Sequence, residues 1–580
     1  MSTPANAPMS APANTPMSAP TNAPTPAAAP RAHAGQAADA LLLAALVAFC
    51  ALFVVWPIAC FVWQGLAPAA DGSTFASVLA DNAGLLANSA FVGVLASVLS
   101  CVVALAVALV ITFGPRRWAS VVTGLVAVSM ISPPFVASLA YVELFGRRGL
   151  ITHGLLGLSV SPYGWQGVVL MQALFFAAIN VILFTSVLGR VDKASIQAAL
   201  DLGAPMRRVF ADIIVPLVRP ATYVCLLLTF VRSISDYATP VVIGGKFDTV
   251  ATQVYVRVVG YSDLRGAAML NILLFAVSVV AFLAYRRLDA RVAATSGSLG
   301  VSARPAPGEA GFRLEGPVGI AAHLICALFA AFLALLYLTI VHAAFTKGMG
   351  WAAPFTLENL EHLVTFDLAS LQRSVVFSLV TALLSTGLGL LAAYYAHRRR
   401  VRASSVLDFV TTVAYTLPGI CLGLGYILAF NRPPIELVGT SAILVAVLAA
   451  KELAISTRAF SAALAQVPAE LDMAARDLGT PPVGVLGRVL VPNLLEAAGV
   501  SLVNGFSSAM VSYSAVLFLV TPANKTAVFE LFDALSGGKY GQAAMVSLAI
   551  IAVTTLVNVV FYKFLLRRGK KRVSRAQRAM

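Results

Sequence analysis

The chain has 580 residues, of which 59% are hydrophobic and 11% charged, and its mean hydropathy of +0.87 excludes an ordinary soluble globular domain. The formal net charge of +15 would suit a nucleic-acid-binding surface, but Lys and Arg retained on the cytoplasmic side of a membrane protein explain it more economically. The composition therefore predicts an integral protein of the lipid bilayer with no nucleic-acid partner.

The first segment of the chain repeats a Met-Ser-x-Pro-x-Asn-x-Pro theme filled with Ala and Thr. A Pro-rich polar segment of this kind cannot bury enough apolar surface to offset the entropy of ordering. It does not read as a secretory signal, because the apolar run that follows continues for roughly thirty residues without a small-residue cleavage site. We predict a disordered cytosolic tail over residues 1–36.

Apolar segments long enough to cross the bilayer follow the tail. A membrane-spanning helix needs about 20 apolar residues for roughly 30 Å of hydrocarbon, and twelve segments qualify, six in residues 37–285 and six in residues 317–566. Because six is even, each set enters and leaves on the same side, which makes the sets parallel repeats. The sequence predicts an all-α polytopic membrane protein with two parallel six-helix halves and about 12 transmembrane helices. The segments lie near 39–65, 89–113, 119–145, 165–189, 220–243, 266–285, 317–345, 374–396, 406–430, 440–463, 494–520 and 542–566.

Helix breakers occur at matching places in the two halves. Pro133-Pro134 lies in the third segment and Pro418-Gly419 in the ninth. Inside a membrane, such breaks are tolerated where neighbouring helices or water satisfy the freed backbone groups. The pattern fits either simple packing kinks or a gate, and both interpretations stay open at this stage.

An internal repeat lies between the fourth and fifth segments of each half. Residues 198–205 read Ala-Ala-Leu-Asp-Leu-Gly-Ala-Pro, and residues 474–481 read Ala-Ala-Arg-Asp-Leu-Gly-Thr-Pro, an offset of 276 residues. The pattern predicts a short helix with small Ala faces, a Gly reversal, and a second short helix ended by Pro. We refer to these predicted protrusions, residues 197–216 and 473–492, as the first and second knobs. One such loop would fit an ordinary connector, but two copies at one topological position favour a shared role.

Polar and ionisable residues follow each knob inside an apolar segment. Arg232 and Asp236 are four residues apart in the fifth segment and could form an ion pair on one helical face. Charged residues inside a span are costly, so they tend to face a partner or a water-filled cavity; Glu143, Lys451 and Glu452 also qualify. We predict a polar stripe that lines a translocation path, with Ser235 beside it. The polar stripe consists of Arg232, Asp236, Tyr237, Asn504, Ser512 and Tyr513.

The remaining segments are marked by small and basic residues. Residues 286–316, rich in Ala, Gly, Ser and Pro, predict a cytoplasmic linker between the halves. Residues 567–580 predict a basic cytosolic tail. With the N-terminus inside, most of the 40 Lys and Arg residues fall on the cytoplasmic side, which predicts that both termini are cytoplasmic.

The knobs resemble the signature loop of importer permeases of the ATP-binding-cassette class, which reads Glu-Ala-Ala, three residues, Gly, nine residues, Ile-x-Leu-Pro. The spacing matches in both knobs, although Gln197 and Met473 replace the Glu. The resemblance covers nearly the whole chain apart from the tail, the linker and the extreme C-terminus. It assigns to the two coupling loops the residues Gln197, Ala198, Ala199, Asp201, Gly203, Pro216, Met473, Ala474, Ala475, Asp477, Gly479 and Pro492.

The resemblance implies a function and partners. In this family the loop contains the coupling helix that docks in a groove of the nucleotide-binding subunit, so the expected partners are two ATP-binding-cassette ATPase subunits and a periplasmic substrate-binding protein. The fused layout looks most like the iron(III) permeases of the bacterial inner membrane, with thiamine and 2-aminoethylphosphonate permeases as close relatives. The chain carries no Gly-x-x-x-x-Gly-Lys-Ser/Thr phosphate loop, so the permease is not expected to be an enzyme and a separate subunit would hydrolyse ATP.

Two other classes of protein compete with an importer permease. A secondary transporter driven by an ion gradient also often has twelve segments in two parallel halves, but it does not need the repeated loop. A membrane-embedded enzyme would need reactive groups, and the sequence shows no paired-carboxylate cluster or nucleophile motif, while its six histidines are scattered. No catalytic residue, cofactor or built-in metal site is predicted.

Overall fold

The described part of the structure consists of helices joined by turns and short loops. Apart from turns, the described part of the chain contains one isolated bridge, between Thr346 and Phe355. Helices satisfy every backbone N–H and C=O group internally, which is why long apolar runs adopt them in hydrocarbon. The residues described by the computed structural model are 29–67, 75–158, 161–191, 193–297, 316–348, 350 and 353–579.

The first half contains thirteen helices in its described residues. Short π-helical turns at Ala51–Val55 and Phe210–Ile214 join α1 to α2 and α9 to α10. The helices are α1 (Ala29–Cys50), α2 (Trp56–Leu66), α3 (Phe75–Asp81), α4 (Ala83–Phe113), α5 (Arg116–Ile131), α6 (Pro134–Phe145), α7 (Trp165–Leu188), α8 (Lys193–Asp201), α9 (Met206–Val209), α10 (Val215–Ser235), α11 (Ala238–Ile243), α12 (Val250–Val259) and α13 (Leu264–Gly297).

The second half repeats this order. Short π-helical turns lie at Leu363–Asp367, Tyr394–Arg398 and Val485–Leu490, and a 3-10 turn lies at Pro522–Asn524. The helices are α14 (Gly316–Ala344), α15 (Glu358–His362), α16 (Leu368–Ala393), α17 (Ser404–Thr416), α18 (Gly419–Phe430), α19 (Ser441–Leu464), α20 (Glu470–Asp477), α21 (Pro482–Gly484), α22 (Val491–Asn493), α23 (Leu495–Val511), α24 (Ala527–Ser536) and α25 (Tyr540–Ala579).

The predicted all-α polytopic architecture is confirmed, with a correction to three segments. In the described residues, eight helical runs are long and apolar enough to cross a membrane, and three further pairs of helices qualify only as broken spans. Two breaks fall inside the predicted segments 119–145 and 406–430, which are therefore not straight helices. The third lies at the start of the predicted segment 494–520, whose helix α23 ends at Val511. The remaining segment, α19, is as long as α7 but carries Lys451, Glu452 and Arg458. The eight runs are Gln36–Leu66, Ala83–Phe113, Trp165–Leu188, Met206–Ser235, Leu264–Ala284, Gly316–Ala344, Glu358–Arg398 and Tyr540–Phe561.

Each half sends its first helix across to the other half. Helices α1 and α2 pack on α17 and α18, where the Tyr426 hydroxyl donates to the Phe53 carbonyl at 2.5 Å. A Cβ added at Gly425 would lie 2.7 Å from the Pro57 carbonyl, so this crossing needs glycine. Conversely, α14 packs on α4 and α6. This exchange ties the halves together into one body.

A continuous apolar core joins the two halves. Buried residues of α6, α12 and α13 lie in the same cluster as buried residues of α14, α18, α24 and α25. Two further clusters lie at the knob end, one around α4 and α7 and one around α16 and α19. The polar residues described below are therefore set in an apolar surrounding shared by both halves.

The predicted tails and linker fall partly outside the described residues. Helix α1 begins at Ala29, inside the predicted tail, and residues 1–28 lie outside the described part. Helix α13 continues to Gly297 and α14 begins at Gly316, so residues 298–315 of the predicted linker are not described. Helix α25 runs through most of the predicted basic tail, to Ala579. The proposed roles of these segments stay predictions.

Candidate functional site

The first knob is a helix that ends in a left-handed glycine. After α8, the Gly203 N–H donates to the Leu200 carbonyl at 2.9 Å and the Ala204 N–H donates to the Ala199 carbonyl at 3.0 Å. Gly203 has a φ of 81°, a conformation that glycine adopts at low cost. These two bonds satisfy carbonyls that the end of the helix would otherwise leave free, which is the Schellman pattern.

The second knob repeats this turn. The Gly479 N–H donates to the Arg476 carbonyl at 2.8 Å, the Thr480 N–H donates to the Ala475 carbonyl at 3.0 Å, and Gly479 has a φ of 78°. In both knobs the next helix begins after a proline with extended backbone, Pro205 or Pro481. The predicted reversal is thus formed twice with the same geometry.

The proline that ends each signature loop does not lie where the sequence predicts it. Pro216 and Pro492 were expected to end the second short helix of each knob. Instead, each lies in the first turn of a helix that follows a π-helical turn. Each proline lies inside a continuous helical run, Met206–Ser235 or Pro482–Asn493, where it has no N–H to donate, and the adjoining π-helical turn accommodates this interruption of the hydrogen-bond ladder.

The tip of each knob presents a leucine to solvent. Leu202 is 89% exposed and Leu478 is 86% exposed, and each directly precedes the left-handed glycine. Met473, which replaces the signature Glu, is 56% exposed, whereas Gln197 donates to Asp201 at 3.0 Å on the surface of α8. Two equivalent apolar tips on one end of the molecule are typical of a surface that a partner covers.

The two knobs are held by different interactions. In the second knob, Asp472 accepts two hydrogen bonds from the Arg398 guanidinium, at 2.7 and 3.2 Å. The same guanidinium also donates to the carbonyls of Val467 and Pro468. The position related to Asp472 by the repeat offset is Ile196, which is fully buried among apolar residues. One knob therefore uses a buried ion pair where the other uses apolar packing.

The helix breakers form equal bends in the two halves. Helices α5 and α6 meet at 109° around Pro133, and α17 and α18 meet at 109° around Pro418. The second arm is buried in both cases, along nearly all of α6 and α18. A bend this large is a change of direction in the chain and not a modest packing kink. Whether it acts as a gate stays a prediction.

The tyrosines of the polar stripe meet between the halves. The rings of Tyr237 and Tyr513 stack with centroids 5.7 Å apart, at the end of α10 and α23 opposite the knobs. Tyr255 stacks on Tyr237, and Phe529 and Phe532 pack on Tyr513. Both tyrosine hydroxyls are buried and have no hydrogen-bond partner among the described residues. The aromatic cluster thus consists of Phe135, Tyr237, Tyr255, Tyr513, Phe529 and Phe532.

The predicted ion pair between Arg232 and Asp236 does not form. Helix α10 ends at Ser235, so the helical spacing that would align the two residues is lost. Asp236 accepts instead from Gln172 Nε2 at 2.9 Å and from the backbone N–H groups of residues 238 and 239. Arg232 Nη2 points to the Tyr415 hydroxyl of the second half, at 3.5 Å.

The other polar residues of the stripe belong to a network in the second half. Ser512 accepts from Lys451 Nζ at 3.2 Å. The Glu452 carboxylate accepts from Ser508 Oγ at 2.5 Å and from Asn504 Nδ2 at 3.3 Å. Lys451 and Glu452, adjacent in sequence, thus take separate partners. Asn504 and Ser512 are brought together with these charges, and Arg232 approaches them from the first half.

Several residues at the site were not identified from sequence. Tyr255, Phe529 and Phe532 lie on short helices outside the predicted segments. Tyr415 lies inside an apolar segment, where a single tyrosine does not indicate a functional residue. Their aromatic character was visible, but aromatic residues are ordinary in membrane helices. Within the described residues, no group of three or more His, Cys, Asp or Glu side chains could hold a metal ion.

Comparison with known proteins gives a family match over both halves. The family described as binding-protein-dependent transport system inner membrane component matches residues 100–294 and 385–574. These two ranges cover most of each half and include both knobs and both aromatic partners, Tyr237 and Tyr513. The repeat read from the sequence is thus the repeat of a family unit.

Similar curated proteins span most of the chain. The ferric transport system permease protein of Actinobacillus pleuropneumoniae is 29% identical over 564 residues, covering 93% of this chain and 80% of that protein. A putative ferric transport system permease protein of Haemophilus influenzae is 31% identical over 519 residues, covering 85% and 80%. A putative 2-aminoethylphosphonate transport system permease protein of Salmonella typhi is 28% identical over 273 residues, covering 44% of this chain and 92% of that protein.

Proposed function

The chain belongs to the family of binding-protein-dependent transport system inner membrane components, and we propose that it forms the membrane pathway of an ATP-binding-cassette importer for iron(III). The family match supports a permease subunit with two fused halves. Iron is supported by the two ferric permeases that align along most of this chain. The inner membrane of a bacterium is the location that this family name implies.

Two ATPase subunits are the proposed partners of the knobs. The observation that carries this proposal is the pair of equal Schellman turns, each with an exposed leucine at its tip, Leu202 and Leu478. An exposed leucine is covered favourably by an apolar groove, at about 25 cal/mol per Å² buried. Because the sequence has no phosphate loop, ATP would be hydrolysed by these separate subunits. A substrate-binding protein would dock at the opposite end, and both termini would lie in the cytoplasm with the knobs.

The proposed transport cycle moves the two halves against each other. ATP-driven approach of the ATPase subunits would move the two knobs, and the long helices that follow them would carry this motion to the other end as rigid bodies. Helix α10 alone, with 21 residues, spans roughly 30 Å. The stacked pair Tyr237 and Tyr513 must separate for cargo to pass between the halves. The polar stripe would then line the opened path.

The proposal is tested by uptake into vesicles. Proteoliposomes are prepared with the chain, its ATPase subunits and a binding protein loaded with ⁵⁵Fe(III). Uptake of ⁵⁵Fe is measured with and without ATP on the side of the membrane that the ATPase subunits face. We expect accumulation that requires ATP and both partners. Uptake driven by an ion gradient without the ATPase would instead assign the chain to secondary transporters and contradict the proposal.

A second cargo has support of its own. The 2-aminoethylphosphonate permeases of Salmonella align with one half-length of this chain, so labelled 2-aminoethylphosphonate belongs in the same assay. Iron is favoured over it because the ferric permeases align along both halves in one continuous match. Phosphonate uptake without iron uptake would replace iron as the cargo while leaving the importer assignment in place.

A further inference from the structure

Two cations lie near each other at the boundary between the halves: Arg232 contacts Tyr415, and the residues before Tyr415 and Lys451, Ala414 and Ala450, are buried in one cluster. Arg232 belongs to α10 of the first half, and Lys451 belongs to α19 of the second half. Each head group donates one hydrogen bond within the described residues: Arg232 to the Tyr415 hydroxyl at 3.5 Å, and Lys451 to Ser512 Oγ at 3.2 Å. A guanidinium has five N–H donors and an ammonium has three. Most of the donors of this cation pair are therefore unused within the described part of the chain.

The carboxylate of Glu452 offsets only part of the charge of the cation pair. Glu452 interacts electrostatically with Lys451 and Arg232, but its two oxygens accept hydrogen bonds from Ser508 and Asn504. It therefore faces α23 and leaves the donors of the two cations open. Two positive charges and one negative charge remain at this place, and Arg232 and Lys451 repel each other.

The two hydroxyls that contact the cation pair can both donate hydrogen bonds. The Tyr415 and Ser512 oxygens accept from the two cations, so each hydroxyl keeps its own proton to donate elsewhere. A guanidinium, an ammonium and two hydroxyls together suit an oxyanion, which only accepts hydrogen bonds and is bound most strongly by charged donors. The aromatic cluster is joined to this place through the chain, because Tyr513 of the cluster is the residue after Ser512.

We propose that Arg232 and Lys451 hold a small phosphate-type oxyanion that is part of the cargo as it passes between the halves. This inference rests on the proposed function and narrows it. A bare ferric ion would be repelled by two cations, so iron would cross as a complex with the oxyanion. A free organophosphonate presents the same chemistry and is the other possible source.

The test follows the metal and the anion separately in proteoliposomes that contain the complete importer. The binding protein is loaded with ⁵⁵Fe(III) in the presence of [³³P]phosphate, and a parallel sample receives ³²P-labelled 2-aminoethylphosphonate. We expect ⁵⁵Fe and ³³P to enter in a constant ratio. Arg232→Gln and Lys451→Gln should each lower uptake of both labels at least tenfold, while Arg232→Lys, which keeps the charge, should retain most of it.

A matched control removes the same charge elsewhere on the same helix. Arg219 also lies on α10, but it is on the surface and contacts Tyr223, so Arg219→Gln should leave uptake unchanged. Binding-protein-stimulated ATP hydrolysis in the same vesicles reports assembly of each variant. We expect Arg232→Gln and Lys451→Gln to keep this stimulation, and the conservative Arg232→Lys variant provides the comparison if Arg232→Gln does not assemble.

The outcomes separate the oxyanion site from the importer assignment. Phosphonate uptake without iron, lost in both Gln variants, would support the site with a free phosphonate as its source. Uptake of ⁵⁵Fe without ³³P would overturn the oxyanion site and leave the iron importer standing. Normal uptake of both labels by Arg232→Gln and Lys451→Gln would also overturn the oxyanion site and leave the iron importer standing. A wild-type importer that takes up neither cargo with ATP would overturn the proposed function, and the oxyanion site with it.

Discussion

The two halves share most of their helix plan and differ mainly in where they place charge. One backbone difference is the run after the knob, which is continuous over Met206–Ser235 but bent by 78° between Asn493 and Leu495. Helices α7 and α19 begin and end at positions 276 residues apart, and so do the last residues of α10 and α23. Both bends are 109° and both knob glycines are left-handed. At the related positions Asp236 and Ser512, the backbone is nearly identical, with φ of −81° and −75°. Pro and Gly lie at the matching bends and knob turns.

The side chains at the proposed translocation path differ between the two halves. Lys451 and Glu452 occupy the positions that correspond to Phe175 and Phe176 in the first half, and Arg232 corresponds to Ser508. Each half therefore lacks what the other supplies, and the cation pair exists only because the halves meet. The repeat therefore determines the architecture. The local chemistry of the path depends on side chains that differ between the two repeats.

The largest effect is expected where the knobs differ, at Arg398. Arg398→Ala would leave the Asp472 carboxylate without its cation, and these side chains are only 14% and 9% exposed. Loss of one partner of a buried pair costs about 3–5 kcal/mol. We expect limited proteolysis in detergent to cut the second knob faster, with the first knob unchanged.

The control for this change makes the second knob resemble the first. Arg398→Met combined with Asp472→Ile removes both charges and places an isoleucine where Ile196 lies in the first knob. Since an apolar pair of similar volume often equals or exceeds a buried ion pair in stability, protection of the second knob should return. If the single and double variants were cut equally fast, the anchoring role of the ion pair would be wrong.

An intermediate and equal effect is expected where the knobs agree, at the two glycines. Gly203→Val and Gly479→Val would each force a β-branched residue into the left-handed region, at about 1–3 kcal/mol per site. An added Cβ would meet nothing within 4 Å, so the strain is confined to the backbone. We expect the double variant to insert and hydrolyse ATP but to lose uptake. Asn, which tolerates this region, is the control, and normal uptake by the Val variant would refute the role of the turns.

The smallest effect is expected at the tyrosine pair. Tyr237→Phe and Tyr513→Phe each remove a hydroxyl that is buried without a partner in the described part of the chain. The free energy of unfolding should change by less than about 1 kcal/mol, toward greater stability, as measured by thermal unfolding in detergent.

A separate effect, on uptake, is expected from alanine variants of the polar stripe. Tyr513→Ala and Asp236→Ala should lower uptake, because they remove ring contacts and backbone-capping bonds. Unchanged uptake at normal expression in both Ala variants would remove these residues from the path.

Much of the architecture could be predicted from the sequence because it depends on local sequence patterns. Apolar length identified the membrane segments, and the repeat with its glycines identified both knobs. The bends inside segments 119–145 and 406–430 were only partly predictable. Pro133 and Pro418 were recognised as helix breakers, but the size of a bend depends on the packing of the following arm against the other half.

Contacts between distant residues could not be predicted in this way. Arg398 and Asp472 are far apart in sequence, and nothing in either local pattern indicates their pairing. The pairing of Arg232 with Asp236 was wrong because the expected helical spacing assumed that α10 continues past Ser235. The stacking of Tyr237 on Tyr513 required the mutual placement of the halves, although their common offset had already marked them as related positions.

The most direct test of the account asks whether the two knob tips face the same side and the same kind of partner. Leu202→Cys and Leu478→Cys are introduced singly, labelled with a membrane-impermeant maleimide from each side of sealed vesicles, and cross-linked in the assembled importer. We expect both cysteines to be labelled only from the cytoplasmic side and each to cross-link to an ATPase subunit. Labelling from opposite sides, or ATP-driven uptake with no cross-link to an ATPase at either tip, would contradict it.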